Sequence, residues 1–271
     1  MKTLSSTLRC ALAATCCGVV AAAHASPVSS DTTILGASFV NGTSSYTEGL
    51  DPLGASATFT AGPSGRTFQK KTQYGYTGVG VSGGRTGDEI DIGETISANF
   101  TKALRLQSFG VNVLFDGPEY GDWNEVAQIR ATLTDGGYLF GLLQVTGESS
   151  ANWWVDGTAL LGSSVSPLAG SLARDGYGGA WEVSNPFGDF SITGLEFTAL
   201  HSTVCSSGSC NNQSDYALHS LQLADAGQNT RRTNAVPEPQ SVALVALALA
   251  ALGVSRRRRS RRGQAAFCSS T

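Results

Sequence analysis

Between residues 30 and 225 no long stretch has helical spacing; what recurs, segment by segment, is alternation of apolar side chains. Phe109, Val111, Val113 and Phe115 share one parity, with Gly110, Asn112 and Leu114 on the other. Ile129, Ala131 and Leu133 alternate with Arg130, Thr132 and Thr134. Alternation of this kind is what a half-buried β-strand requires, because successive side chains point to opposite faces. Asp135-Gly136-Gly137 then supplies turn chemistry before Tyr138, Phe140 and Leu142, which predicts a β-hairpin. Ile96, Ala98 and Phe100 form another strand face. Between Phe190 and Leu200 the apolar parity slips at Gly194, which predicts a β-bulge there. A last strand is expected from Tyr216 to Leu223.

Roughly ten such strands without a convincing helix predict an all-β domain, an antiparallel two-sheet β-sandwich of jelly-roll type. A barrel, or a single sheet with insertions, is the alternative. The span is long enough for one domain with its own core.

Both ends of the chain read differently. Lys2 and Arg9 precede an apolar segment, Ala11 to Ala23, that closes in Ala23-His24-Ala25. A basic start, a short apolar stretch and a small-x-small site predict a secretory signal peptide cleaved before Ser26. At the other end, Pro237-Glu238-Pro239 precedes an apolar run from Val242 to Val254, followed by Arg256, Arg257, Arg258 and Arg259 and then Arg261 and Arg262. A helix over that run would cover only about 20 Å of a hydrocarbon core of about 30 Å, so flanking serines and snorkelling arginines must extend it. The arginines place that end in the cytoplasm.

A Pro-Glu-Pro turn, a short apolar helix and an arginine cluster, in that order and at that place, resemble the PEP-CTERM sorting signal. The resemblance implies export from a Gram-negative, exopolysaccharide-making bacterium, with the general secretion machinery and the membrane protease exosortase as partners. The membrane is then a partner through the C-terminal helix until processing. Residues 263–271 extend past the arginines, where such signals usually end. The expected organisation is a signal peptide (1–25), a sandwich domain (26–224), a polar linker (225–236), the sorting signal (237–262) and a tail (263–271).

Charge and cysteine use follow this division. Of 18 basic residues eight lie in the two ends, and of 21 acidic residues only Glu238 does, so the exported body carries ten against twenty. A surface near −10 excludes nucleic acid and anionic lipid as partners recognised by charge, and suits neutral glycans or cations. The body keeps two cysteines, Cys205 and Cys210, in Cys-Ser-Ser-Gly-Ser-Cys. In an oxidising compartment they are expected to close a small disulfide loop.

Catalytic signals are sparse. Gly78-Val79-Gly80-Val81-Ser82-Gly83 matches a dinucleotide-binding glycine pattern, but Gly84 to Asp88 continues as loop where that motif needs a helix. His201 and His219 are the body's histidines, and His219 is expected at the surface of the last strand; Gly80-Val81-Ser82-Gly83-Gly84 has Gly-x-Ser-x-Gly spacing but runs on into loop where a nucleophile elbow needs a helix. Glu119, Asp122 and Glu125, with Tyr120 and Trp123, make an acidic aromatic loop that could serve glycoside hydrolysis; the simpler reading is a solvated turn. Asp88, Glu89 and Asp91 before one strand, and Asn211, Asn212 and Asp215 before the last, are candidate oxygen ligands for calcium, with turn capping as the alternative. Asp215-Tyr-Ala-Leu-His-Ser-Leu resembles the closing strand of jelly-roll carbohydrate-binding modules, which implies a structural calcium near Asp215; His219 stands where a second acidic residue is usual.

Trp153 and Trp154 are adjacent and must point to opposite faces of a strand. Exposed aromatic rings stack on sugars, so Trp153, Trp154, Trp181 and Trp123 are candidate carbohydrate contacts, with burial as the alternative. The expected function is a non-enzymatic, exported surface or matrix protein, adhesive or structural, with exopolysaccharide as candidate ligand. A secreted glycan hydrolase and an inert surface-layer component are the other readings.

Overall fold

A computed structural model describes residues 31–117, 124–174, 176–201 and 214–226. Among them the chain is all-β: thirteen strands, paired antiparallel throughout, join one hydrogen-bonded network with two single-turn 3₁₀ segments and no α-helix. The first five strands are β1 (Asp31–Leu35), β2 (Ser45–Leu50), β3 (Ala55–Gly62), β4 (Phe68–Gln73) and β5 (Tyr76–Val81). Then come β6 (Thr95–Asn112), β7 (Val126–Leu133), β8 (Tyr138–Gly147) and β9 (Ser150–Val155). The last four are β10 (Ser164–Pro167), β11 (Trp181–Ser184), β12 (Ile192–Leu200) and β13 (Ala217–Asp225).

The network branches at β6, whose 18 residues far exceed an ordinary strand of five or six. Its first part, Thr95–Phe100, pairs with β3, while β12 takes its other edge from Ile96. Beyond Leu104 the neighbours change to β13 and, from Ser108, to β11. Leu223 faces Leu106 whereas Gln222 faces Ser108, so Gln107 is an extra residue, a β-bulge. The bulge reverses parity. Ile96, Ala98, Leu104 and Leu106 point into the core before it, and Phe109 and Val111 after it. The two apolar faces visible in the sequence thus belong to one bent strand. Val113, in phase with them by sequence, leaves the strand at φ +55°.

The predicted hairpin is present between β7 and β8. Gly136 takes φ +85°, and the Gly137 N–H donates to Asp135 Oδ1 at 2.9 Å. The predicted slip in β12 is also present, with the register shifting between Ile192 and Gly194 against both neighbours. Glycine suits that place because a Cβ on Gly194 would lie 2.9 Å from the Ala98 carbonyl oxygen.

One buried cluster runs through the domain. Phe39 packs edge-on against Phe59 and Phe68, and Phe109 against Trp153 and Phe197. Each such ring contributes about 1.5–3 kcal/mol by leaving water. β1 begins opposite Ala224 on β13, so β1 starts and β13 ends at the same end of the domain. No helix among the described residues is long and apolar enough to cross a membrane. The expected signal peptide, the linker beyond Ala226, the sorting signal and the tail lie outside the described residues.

Candidate functional site

The strand order β12–β7–β8–β9 builds a face turned away from the core. Ala127, Ile129 and Ala131 of β7, with Leu143 and Val145 of β8, point inward. Period two therefore sends Gln128, Arg130 and Thr132 outward, opposite Leu142, Phe140 and Tyr138 respectively. On β9, Trp154 faces Leu142 and Asn152 faces Gln144, so they join the same surface. Tyr138 is 52% exposed, Phe140 is 41% exposed and Trp154 is half-buried.

Polar groups on this face are held in place. Arg130 Nη2 lies 2.9 Å from Glu196 Oε2 on β12, and its guanidinium carbon sits 4.9 Å from the Tyr138 ring centroid. The Asp156 carboxylate accepts from the Phe140 N–H at 3.1 Å, pinning the edge of β8. Exposed rings flanked by a fixed guanidinium–carboxylate pair and by the amides of Gln128, Gln144 and Asn152 form a surface suited to a ring with one apolar face and hydroxyls at its rim.

The acidic loop between β5 and β6 has a different character. Asp91 accepts from the Thr86 N–H at 3.1 Å and from its hydroxyl, and the Asp91 N–H donates to Glu94 Oε2 at 3.2 Å. Arg66 Nε stands 3.6 Å from Glu94 Oε1, while Lys71 Nζ lies 2.9 Å from Glu89 and 3.2 Å from Asp88. A Cβ on Gly84 would fall 2.0 Å from Asp91 Oδ2 and 2.8 Å from Glu94 Oε1, so only glycine lets the backbone close onto this pair. Burial, and secondarily the nearby Asp91 charge, holds the Glu94 carboxyl above its ordinary value despite the Asp91 N–H and Arg66. Asp88, Glu89 and Asp91, read as calcium ligands, are thus engaged by protein cations and by Thr86. Among the described residues no group of three or more His, Cys, Asp or Glu is arranged to hold a metal ion.

The glycine pattern at residues 78–83 is packing. Gly78 and Gly80 lie in β5, where a Cβ would strike Asn112 and Ala217, or the Glu89 backbone. Trp153 and Trp181 are buried, which removes both from the sugar-contact set. The Trp153 indole N–H donates to the Pro186 carbonyl at 2.8 Å and that of Trp181 to the Leu114 carbonyl at 2.9 Å. His219 is half-buried rather than a free surface group, with Nδ1 2.8 Å from the Thr77 carbonyl and the ring edge-on to Tyr76. Glu125 is also buried, and its carboxylate accepts the Phe115 N–H. Asp215 is half-buried just ahead of β13.

Glu119, Asp122, Trp123, Asn211, Asn212, Cys205 and Cys210 lie outside the described residues. So do Ala23, Ala25, Ser26 and the sorting residues Pro237, Glu238, Pro239 and Arg256 to Arg259. Tyr138, Phe140 and Arg130 were not singled out as ligand contacts by the sequence. The signal was in the alternation, since Tyr138 and Phe140 are out of phase with Leu143 and Val145.

Residues 235–259 match the family model of the PEP-CTERM protein-sorting motif. That match confirms the reading of Pro237 to Arg259 and implies export, membrane-anchored sorting and processing by exosortase. None of the curated proteins matches the chain, and neither does any solved structure.

Proposed function

We propose that the exported domain is a non-catalytic glycan-binding module that holds exopolysaccharide at the cell surface or in the surrounding matrix. The observation that carries the reading is the outer face of β7, β8 and β9, where Tyr138, Phe140, Leu142 and Trp154 line up beside the Arg130–Glu196 pair. A body with twice as many acidic as basic residues suits neutral sugars over polyanions. The same reading takes the strand network as a two-layered, jelly-roll-like sandwich. The change of partners along β6 supports it, because a strand that bends through a bulge can serve two sheets.

The test is co-sedimentation of the purified protein with exopolysaccharide from its own source cells, beside a Phe140→Ala, Trp154→Ala double variant. Binding reduced at least tenfold in the variant, with an unchanged circular dichroism spectrum, is the expected result. Equal binding by both proteins would sink this face as the site. Release of new reducing ends would replace the module by a hydrolase, and absence of binding would leave a structural surface role.

A further inference from the structure

We infer that the end of the domain from which the C-terminal segment leaves is apposed to the membrane, with Leu161 and Phe190 in contact with lipid. The inference rests on the tail acting as a membrane anchor before processing, and is independent of the glycan face.

Leu161 is 96% exposed, more than any other large apolar side chain among the described residues, although Leu160 beside it packs on the core. Its loop is not free-standing. The Ser163 hydroxyl donates to the Asn185 carbonyl at 2.8 Å, and Asn185 Nδ2 donates back to the Gly162 carbonyl at 3.4 Å. This joins it to the segment that carries Phe190, itself 49% exposed. That segment lies at the chain's exit. Asp189 pairs with Arg105 at 3.0 Å, Arg105 faces Ala224 on β13, and Asp225 faces Leu104 and pairs with Lys102 at 2.9 Å. Ile192, two residues past Phe190, also faces Leu104.

The chain outside the described residues limits where this end can go. Residues 226–241 separate β13 from the apolar run that begins at Val242. Sixteen residues reach at most about 55 Å, and a domain of this size is about 40 Å across, so the exit end is tethered within about one and a half diameters of the bilayer. Arg231 and Arg232 lie within the tether. Two apolar side chains on cross-braced loops, at the end from which the tether leaves, match a surface whose interior is hydrocarbon.

The full chain, without exosortase, is reconstituted in vesicles of the net-neutral lipids phosphatidylethanolamine and phosphatidylcholine. A benzophenone-bearing residue is placed at Leu161, at Phe190 or at Tyr74. Tyr74 is an exposed control whose ring centroid lies 5.3 Å from that of Tyr177, near the C-terminal end of β6, where the Val113 N–H donates to the Gly178 carbonyl. After illumination, lipid adducts at least fivefold more abundant at Leu161 and Phe190 than at Tyr74 are expected. Retention through a carbonate wash with equal adducts at all three sites would overturn the inference alone, as would adducts at Leu161 only to protein. Release of all three variants by carbonate would overturn the anchored reading and this inference with it.

Discussion

Gly141 on β8 and Trp153 on β9 fill one volume between them: a methyl group on Gly141 would lie 2.0 Å from Cη2 of the indole. The ring cannot withdraw, since its N–H is bonded to Pro186 and its faces are packed by Phe109 and Phe187. Gly141→Ala is therefore expected to destabilise by about 3 kcal/mol, at the upper end of ordinary overpacking. Gly49→Ala on β2, where the nearest atom would be 3.7 Å away, is the control and should be neutral or stabilising. Urea midpoints of the two variants check both values; a Gly141→Ala midpoint equal to wild type would show that the indole moves.

The two adjacent tryptophans should separate cleanly. Trp153→Ala removes a buried ring and leaves the Pro186 carbonyl without its donor, for an expected loss of about 3–5 kcal/mol. Trp154→Ala empties a half-buried position on the outer face and should cost about 1 kcal/mol or less. Chemical denaturation of the two single variants decides; similar losses would mean that both rings are core.

Glu94 gives stability a pH dependence of predictable sign. Burial raises its folded-state pKa above the ordinary glutamate value of 4.5, so in that window the folded protein binds more protons than the unfolded chain. Stability from this group is highest below the window and falls as pH rises through it. Against Glu94→Gln, wild type should lose relative stability on going upward from about pH 4.5. Parallel stability curves for the two proteins would show that Glu94 titrates normally. The groups around it are Asp91, which raises its pKa, and Arg66, which lowers it.

Much of this architecture was legible because strand alternation is local. The β7–β8 hairpin and the slip at Gly194 follow from parity and turn residues alone. The single long strand β6 did not, because the parity change at Gln107 is set by pairing with Leu223 and Gln222, over a hundred residues away. The tryptophans show the same limit. Adjacency dictates that Trp153 and Trp154 face opposite ways, but which faces inward depends on Leu143 and Ile129 across the ladder. Likewise the loop acids read as ligands until Arg66, Lys71 and Thr86 were brought to them by the fold.

The sorting signal yields the last prediction. Pro237 and Pro239 flank Glu238, and the three precede the apolar run in sequence. Processing by exosortase should then depend on this short stretch and not on the β-domain. In cells that make exosortase, Glu238→Ala is expected to leave the full-length chain in the carbonate-resistant membrane fraction, whereas Tyr74→Ala is processed as wild type. Replacing Arg256 to Arg259 by alanine should weaken the cytoplasmic retention of the C-terminus, because basic clusters beside an apolar run favour the cytoplasmic side. Immunoblots for chain length and membrane fraction distinguish the two effects: a block in cleavage with normal topology for Glu238→Ala, and a change of topology for the arginine variant. Normal processing of Glu238→Ala would assign recognition to the apolar run and arginines instead of the Pro-Glu-Pro residues.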